Sequence, residues 1–335
     1  MNPLLRLLSS FTSLLCFGLG VAAQDQATTL LANSQRAEVV VRATVVAASD
    51  PSPEWHRLEV RTDELLKGRL GANFAVLEPA GACCGRSLFA LQPGAACLLF
   101  LQRRGPALHP LAGARGVLAD DAALTEHVRA LLAAPDAAAT AALLASGLQS
   151  PLPRIADDAA HALASLPQLT LDRGRRDVVA DALGHAVRTR LATAASLVEV
   201  AVRIADAPML DALLPLYLDQ ERADQASLLR DGLARCAADE LLARLPMHLR
   251  SDEAGELRAA ELLARLPAEH GAPALRRLLT TTRSPRVQLR ATETLLEQGA
   301  ATSSLPARLP AAVLRLAERR RNTTKPFRSI QPASR

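Results

Sequence analysis

Aromatic side chains are scarce in this sequence. Phe, Trp and Tyr make up 2% of it, with one Trp and one Tyr, so few platforms exist on which bases or sugar rings could stack. Lysine is confined to Lys67 and Lys325 while arginine abounds, a bias that reads as a GC-rich coding sequence more than as selection for guanidinium chemistry. No Gly-x-Ser-x-Gly elbow, phosphate-binding loop, His-Glu-x-x-His helix or acidic calcium loop occurs. These absences argue against the common hydrolases, nucleotide-dependent enzymes and zinc peptidases. The sequence assigns no catalytic residue, no metal ligand and no cofactor, and the expectation is a protein that is not an enzyme.

A basic face is missing as well. The formal net charge is +5, but Arg315 to Arg335 hold seven basic residues against the single Glu318. The span from Gln24 to Leu314 has 31 basic and 33 acidic residues. The body is therefore close to neutral and offers no patterned surface for nucleic acid. The tail can make at most a weak contact with an anionic surface, and a frayed, soluble helix end explains it equally well.

What is present is first a leader. Residues 1–23 run from Met-Asn-Pro-Leu-Leu-Arg through an apolar stretch to Val21-Ala22-Ala23, ahead of Gln24. A positive start, a short apolar core and small residues before the cut are the layout of a secretory signal peptide. Ser9, Ser10, Thr12 and Ser13 interrupt the run, leaving it short of the ~20 apolar residues that a membrane span requires. Leu15 before Cys16 argues against lipidation, and Gly18-Leu19-Gly20 lacks the strand-turn-helix context of a dinucleotide fingerprint. The reading is a secreted or periplasmic protein of a bacterial envelope, with no transmembrane anchor once the leader is cut.

A β-rich module follows, over residues 24–118. Ala37 to Ala48 is rich in β-branched residues, and His56 to Thr62 alternates with Leu58 and Val60 on one face. Phe74 to Leu77, Ser87 to Ala90, Ala96 to Leu101 and Gly116 to Leu118 supply further short strands between Gly and Pro breaks. Five or six such strands make a small barrel or sandwich. Ala37-Glu38-Val39-Val40-Val41-Arg42-Ala43, Leu65-Leu66-Lys67-Gly68, the cysteine pair and Pro93-Gly94 before Leu98-Leu99-Phe100-Leu101 together resemble the netrin-like, metalloproteinase-inhibitor-like modules of exported bacterial proteins. That resemblance implies an OB-type barrel. It does not imply inhibition, because those inhibitors chelate zinc with an N-terminal cysteine and this mature chain would begin near Gln24.

Four cysteines remain beyond the leader: Cys83, Cys84, Cys97 and Cys236. In an exported chain an even count invites disulfides. Cys83 or Cys84, in a turn, is the candidate partner of strand-borne Cys97, closing a loop of about 14 residues worth roughly 3 kcal/mol. Free thiols, or a metal or redox pair, are the alternatives, although Cys83-Cys84 lacks the Cys-x-x-Cys spacing of either. Cys236 reads as a small buried hydrophobe on a helix.

From Asp121 the texture turns to Ala, Leu and Arg at helical spacing, broken at Pro135, Ser150-Pro151, Pro167, Pro208, Pro246, Pro267 and Ser284-Pro285. Leu257-Arg258-Ala259-Ala260-Glu261-Leu262-Leu263 matches Leu289-Arg290-Ala291-Thr292-Glu293-Thr294-Leu295 at an offset of 32 residues, a period typical of solenoids. The polar turn Ser284-Pro285 followed by an Arg-Ala helix, like Glu253-Ala254-Gly255-Glu256 before Leu257-Arg258-Ala259-Ala260, resembles HEAT repeats over residues 119–320, with a basic tail at 321–335. The resemblance implies an α-solenoid that contacts or scaffolds another protein. The fold class is thus mainly α with a small β domain.

Two Asp-His pairs at i, i+4, Asp157/His161 and Asp181/His185, share helix faces and invite an acid-base or metal reading. An ordinary surface ion pair, with Asp158 on a solvated helix edge, explains them as well. Glu126-His127 and Glu269-His270 reverse the His-Glu order by which some HEAT-like enzymes hold di-iron. The sequence therefore supports a non-enzymatic exported protein that binds an unidentified protein partner through helical repeats. A ligand-binding or inhibitory β module, or a metal-dependent enzyme, stands as the alternative.

Overall fold

The computed structural model describes residues 29–53, 55–79, 91–111, 116–189, 192–250 and 252–324. The leader, the expected strand Ser87 to Ala90, and Cys83 and Cys84 lie outside them. A short helix α1 (Leu30–Arg36) precedes strands β1 (Val39–Ser52), β2 (Trp55–Lys67), β3 (Asn73–Pro79), β4 (Ala96–Arg104), β5 (Ala107–Pro110) and β6 (Val117–Ala119).

The first five strands close into a barrel in the order β1-β2-β3-β5-β4, with β4 returning to pair with β1. The seam is antiparallel and runs from Val39 opposite Leu101 to Thr44 opposite Ala96. The β3–β5 pair, Val76 opposite Leu108, is parallel. A closed five-strand barrel is the architecture expected of an OB-type module, and β6 adds to the side of β4 opposite Cys97 to Leu99.

Alternation explains the interior. Val39, Val41, Ala43 and Val45 of β1, Leu58 and Val60 of β2 and Cys97, Leu99 and Leu101 of β4 point inward together. Val40, Leu98 and Phe100 on the opposite face are also fully buried. Burial on both faces is why these two strands read as continuous apolar runs and not as alternating ones. The β1–β2 ladder reaches Ser52 opposite Trp55. Gly68 has φ +90, and an added Cβ there would lie 2.4 Å from the Glu38 carbonyl oxygen, which explains why glycine ends β2.

The strands end at Ala119 and helix α2 (Ala122–Ala133) begins after the N-cap Asp121, whose carboxylate accepts from the Ala123 and Leu124 N–H groups. Helices α3 (Ala137–Gly147), α4 (Pro153–Ser165) and α5 (Arg173–Thr189) follow. By packing, the chain divides into two compact units between Val178 and Val179, within α5. The first three of these helices belong with the barrel because α1 docks on α2 and α4.

The second unit contains α6 (Ala194–Ile204), α7 (Ala207–Leu218), α8 (Ala223–Leu233), α9 (Ala238–His248), α10 (Glu253–Leu263), α11 (Ala268–Thr281), α12 (Pro285–Glu297) and α13 (Ala311–Thr324). They pack in two rows: α6, α8, α10 and α12 touch in sequence, as do α7, α9 and α11, and α13 lies on α12. The first row begins at residues 194, 223, 253 and 285. This is a helical-repeat array. Pro246, expected as a break, sits inside α9 in its last turn, and Pro215 and Pro273 are also internal. A proline there removes one i to i−4 bond without stopping a helix that its neighbours hold in place. Helix α13 continues to Thr324, past residue 321 where the basic tail is expected to start, and residues 325–335 lie outside the described ones.

Polar contacts repeat along the rows. Arg235 pairs with Glu199, Arg265 with Asp231 and Arg286 with Glu253, while Asp211 of α7 accepts from Arg244 and His248 of α9. Each exposed pair is worth about 0–1 kcal/mol, so they set register more than stability. The array is held by close approach: an added Cβ at Gly232 of α8 would lie 2.5 Å from Val198 Cγ1 of α6, and one at Gly271 of α11 would lie 2.4 Å from the Leu263 carbonyl of α10. Gly271→Ala is expected to destabilise the second unit by about 1–3 kcal/mol, and Gly232→Ala by less because a valine side chain can yield. Urea denaturation checks both, and unchanged midpoints would show that these approaches carry no packing constraint.

Candidate functional site

In the second unit, α9 and α11 stand side by side with α10 beneath them and enclose a groove of about 1100 Å³. The helices run in the same direction, because Asp239 at the start of α9 meets His270 at the start of α11 at 3.3 Å. Leu242, Leu245 and Leu249 of the α9 side, Ala259 and Leu263 of α10, and Ala274 and Leu278 of α11 supply its apolar surface. These are the residues that a 3.6-residue period turns toward one flank of each helix.

The rim is charged and ordered. Asp239 and Glu269 line the end where α9 and α11 begin; Arg250, Arg277 and Arg283 line it toward the other end. Glu253 and Glu256, also at that second end, already have partners: Glu253 accepts from Ser284 Oγ at 2.7 Å and from Arg286 at 3.2 Å, and Glu256 accepts from Thr282 Oγ1. Arg250 pairs with Asp219 at 2.9 Å. The groove thus has a largely apolar floor and charged ends.

The residues singled out from sequence do not converge. His161 Nδ1 bonds the Asp157 backbone carbonyl at 2.7 Å, not the carboxylate. Asp181 and His185 are both exposed on α5. His127 is buried, burial pushes its pKa down, and Gly147 packs against its ring. Among the described residues no group of three or more His, Cys, Asp or Glu side chains could hold a metal ion.

The cysteines are also dispersed. Cys97 carries a free thiol inside the barrel that donates to the Ala43 carbonyl at 3.4 Å, and burial pushes its pKa up to about 12. Its expected partners Cys83 and Cys84 lie outside the described residues, and no disulfide forms among those that are described. Cys236 is free and buried in the turn after α8, where its thiol approaches the Gly232 carbonyl at 3.8 Å.

One residue contradicts its sequence reading. Asp158, placed on a solvated helix edge, is 6% exposed and accepts a 2.7 Å hydrogen bond from the Leu30 N–H. It ties the first turn of α1 to α4 across 128 residues of sequence. No local pattern could reveal this, since the partner is a backbone group from the other end of the unit. The lone tyrosine has a comparable role: Tyr217 of α7 is fully buried and its hydroxyl donates to the Arg258 carbonyl of α10 at 2.7 Å.

A smaller groove of about 380 Å³ opens on the barrel, lined by Arg57, Phe74, Arg103 and Pro106. No helix among the described residues is long and apolar enough to cross a membrane. No protein-family model matches the chain, and no curated protein matches it.

Burial pushes the Asp158 carboxyl up from 3.8 to about 6, against the opposing pull of the Leu30 N–H and of Arg154. A folded-state pKa above the unfolded value means that the fold binds the proton more tightly. This contribution to stability is fully present below about pH 4 and is lost as pH rises to about 6, by on the order of 3 kcal/mol. Asp158→Asn keeps an acceptor for Leu30 without the buried charge, so it should stabilise the protein at pH 7 and converge with the wild type near pH 4. Asp158→Ala should destabilise by about 1–3 kcal/mol at low pH, where it orphans a buried N–H. Thermal unfolding from pH 4 to 8 measures both, and parallel wild-type and Asp158→Asn profiles would contradict the assignment.

Proposed function

We propose that this chain is an exported, non-enzymatic interaction protein whose HEAT-like helical array presents the α9–α11 groove to a partner protein. The observation that carries the reading is the groove itself: about 1100 Å³ of space with an apolar floor and charged ends, on a scaffold of stacked helices. Helical arrays bury their stripes between neighbours and leave extended surfaces for binding. The netrin-like barrel supplies a second contact, and export follows from the signal-peptide layout of residues 1–23.

A second reading places ligand binding on the barrel. It is favoured by the two guanidinium groups, Arg57 and Arg103, that line the smaller groove beside Phe74. An anionic ligand would suit that pairing.

The two readings separate by mutation. Ala274→Arg fills the helical groove from a half-buried position on α11, and Arg103→Glu reverses charge in the barrel groove. In pull-downs from the host's envelope fraction, the helical reading expects a protein recovered by the full wild-type chain to be lost with Ala274→Arg and kept with Arg103→Glu. The reverse pattern would transfer the function to the barrel. Recovery that neither substitution alters would exclude both grooves.

A further inference from the structure

The groove has a direction that its apolar floor alone does not explain. Because α9 and α11 begin together at the Asp239–His270 contact, the acidic pair Asp239 and Glu269 marks one end. Arg277 and Arg283, both exposed, lie toward the other. Glu253, which also lines that second end, is ion-paired with Arg286 and hydrogen-bonded by Ser284, while Glu256, hydrogen-bonded by the neutral Thr282 hydroxyl, offsets only one of the positive charges there. Arg250 is held by Asp219. Arg277 and Arg283 make no ion pair among the described residues, so two guanidinium groups face the groove's opening with no acidic partner.

We infer that the groove takes an amphipathic segment of a partner protein with an apolar stripe and a cluster of Asp or Glu residues, the acidic cluster seated over Arg277 and Arg283. This rests on the docking role proposed for the groove and names the chemistry of its occupant. The stripe lies on the half-buried Leu242, Leu249 and Ala274 and excludes water. The acidic cluster sets orientation, because reversing the segment would place its carboxylates against Asp239 and Glu269. A segment of about three helical turns, near 16 Å, would span the 11 residues of α9.

A random dodecapeptide display library selected against the full chain tests the inference, with each enriched peptide then re-measured on Arg277→Glu/Arg283→Glu and on Ala274→Arg. Circular dichroism confirms that the variants remain folded. The expected result is enrichment of peptides with Asp or Glu beside two or more apolar residues. Their affinity should fall about ten-fold on the charge-reversed double variant, from two exposed ion pairs, should fall on Ala274→Arg, and should weaken with added salt. Enriched peptides without acidic excess that ignore the charge reversal but are lost on Ala274→Arg would overturn the acidic occupant and leave the docking groove standing. Peptides indifferent to Ala274→Arg, or no enrichment, would overturn both.

Discussion

A helix built from Ala, Leu and Arg has a shallow apolar stripe, and no pair of such helices can bury its own stripe; each must lie against the next. With 2% aromatic residues there are few large side chains to bridge wide gaps, so the helices have to approach closely. The glycines show where this becomes limiting. At Gly232 and Gly271 even a methyl group would overlap the neighbouring helix. The two rows, the repeating ion pairs and the buried Tyr217 hydroxyl all follow from helices that stack this tightly.

The groove is the complement of that rule. Between α9 and α11, beyond their contact at Asp239 and His270, the spacing leaves about 1100 Å³ open, and α10 forms the floor. Its residues are the same Leu and Ala types that elsewhere fill the core. Leu245, Ala259, Leu263 and Leu278 are buried here too, while Leu242, Leu249 and Ala274 stay half-exposed, and the charges at the ends distinguish one direction along the groove from the other. In the proposed function, this interruption of the packing is the binding surface.

In the first unit the corresponding constraint is closure. Pairing β4 with β1 closes the first five strands on themselves and buries Cys97 where its thiol meets a backbone carbonyl. Helix α1, which precedes the barrel, is carried onto α2 and α4 and held by the Asp158 carboxylate. A buried carboxylate at a helix start satisfies a backbone donor at the expense of its own desolvation. That one contact joins residues that open the unit to residues near its end.

The sequence by itself determined the two-part plan. Alternation at Leu58 and Val60, the β-branched run at Val39 to Val41, the repeat of Leu257 to Leu263 at Leu289 to Leu295, and caps such as Ser284 before Pro285 are local signals. Local signals suffice because side-chain period and capping act within a few residues. Only the tertiary structure decided that β1 pairs with β4, that short β5 sits between β3 and β4, that Asp158 is buried, and that Asp239, Glu269, Arg277 and Arg283 share one groove. Each depends on elements far apart in the chain meeting in space. The free energy of burying a carboxylate or leaving a flank uncovered is set by those neighbours and not by the residue's own surroundings in the sequence.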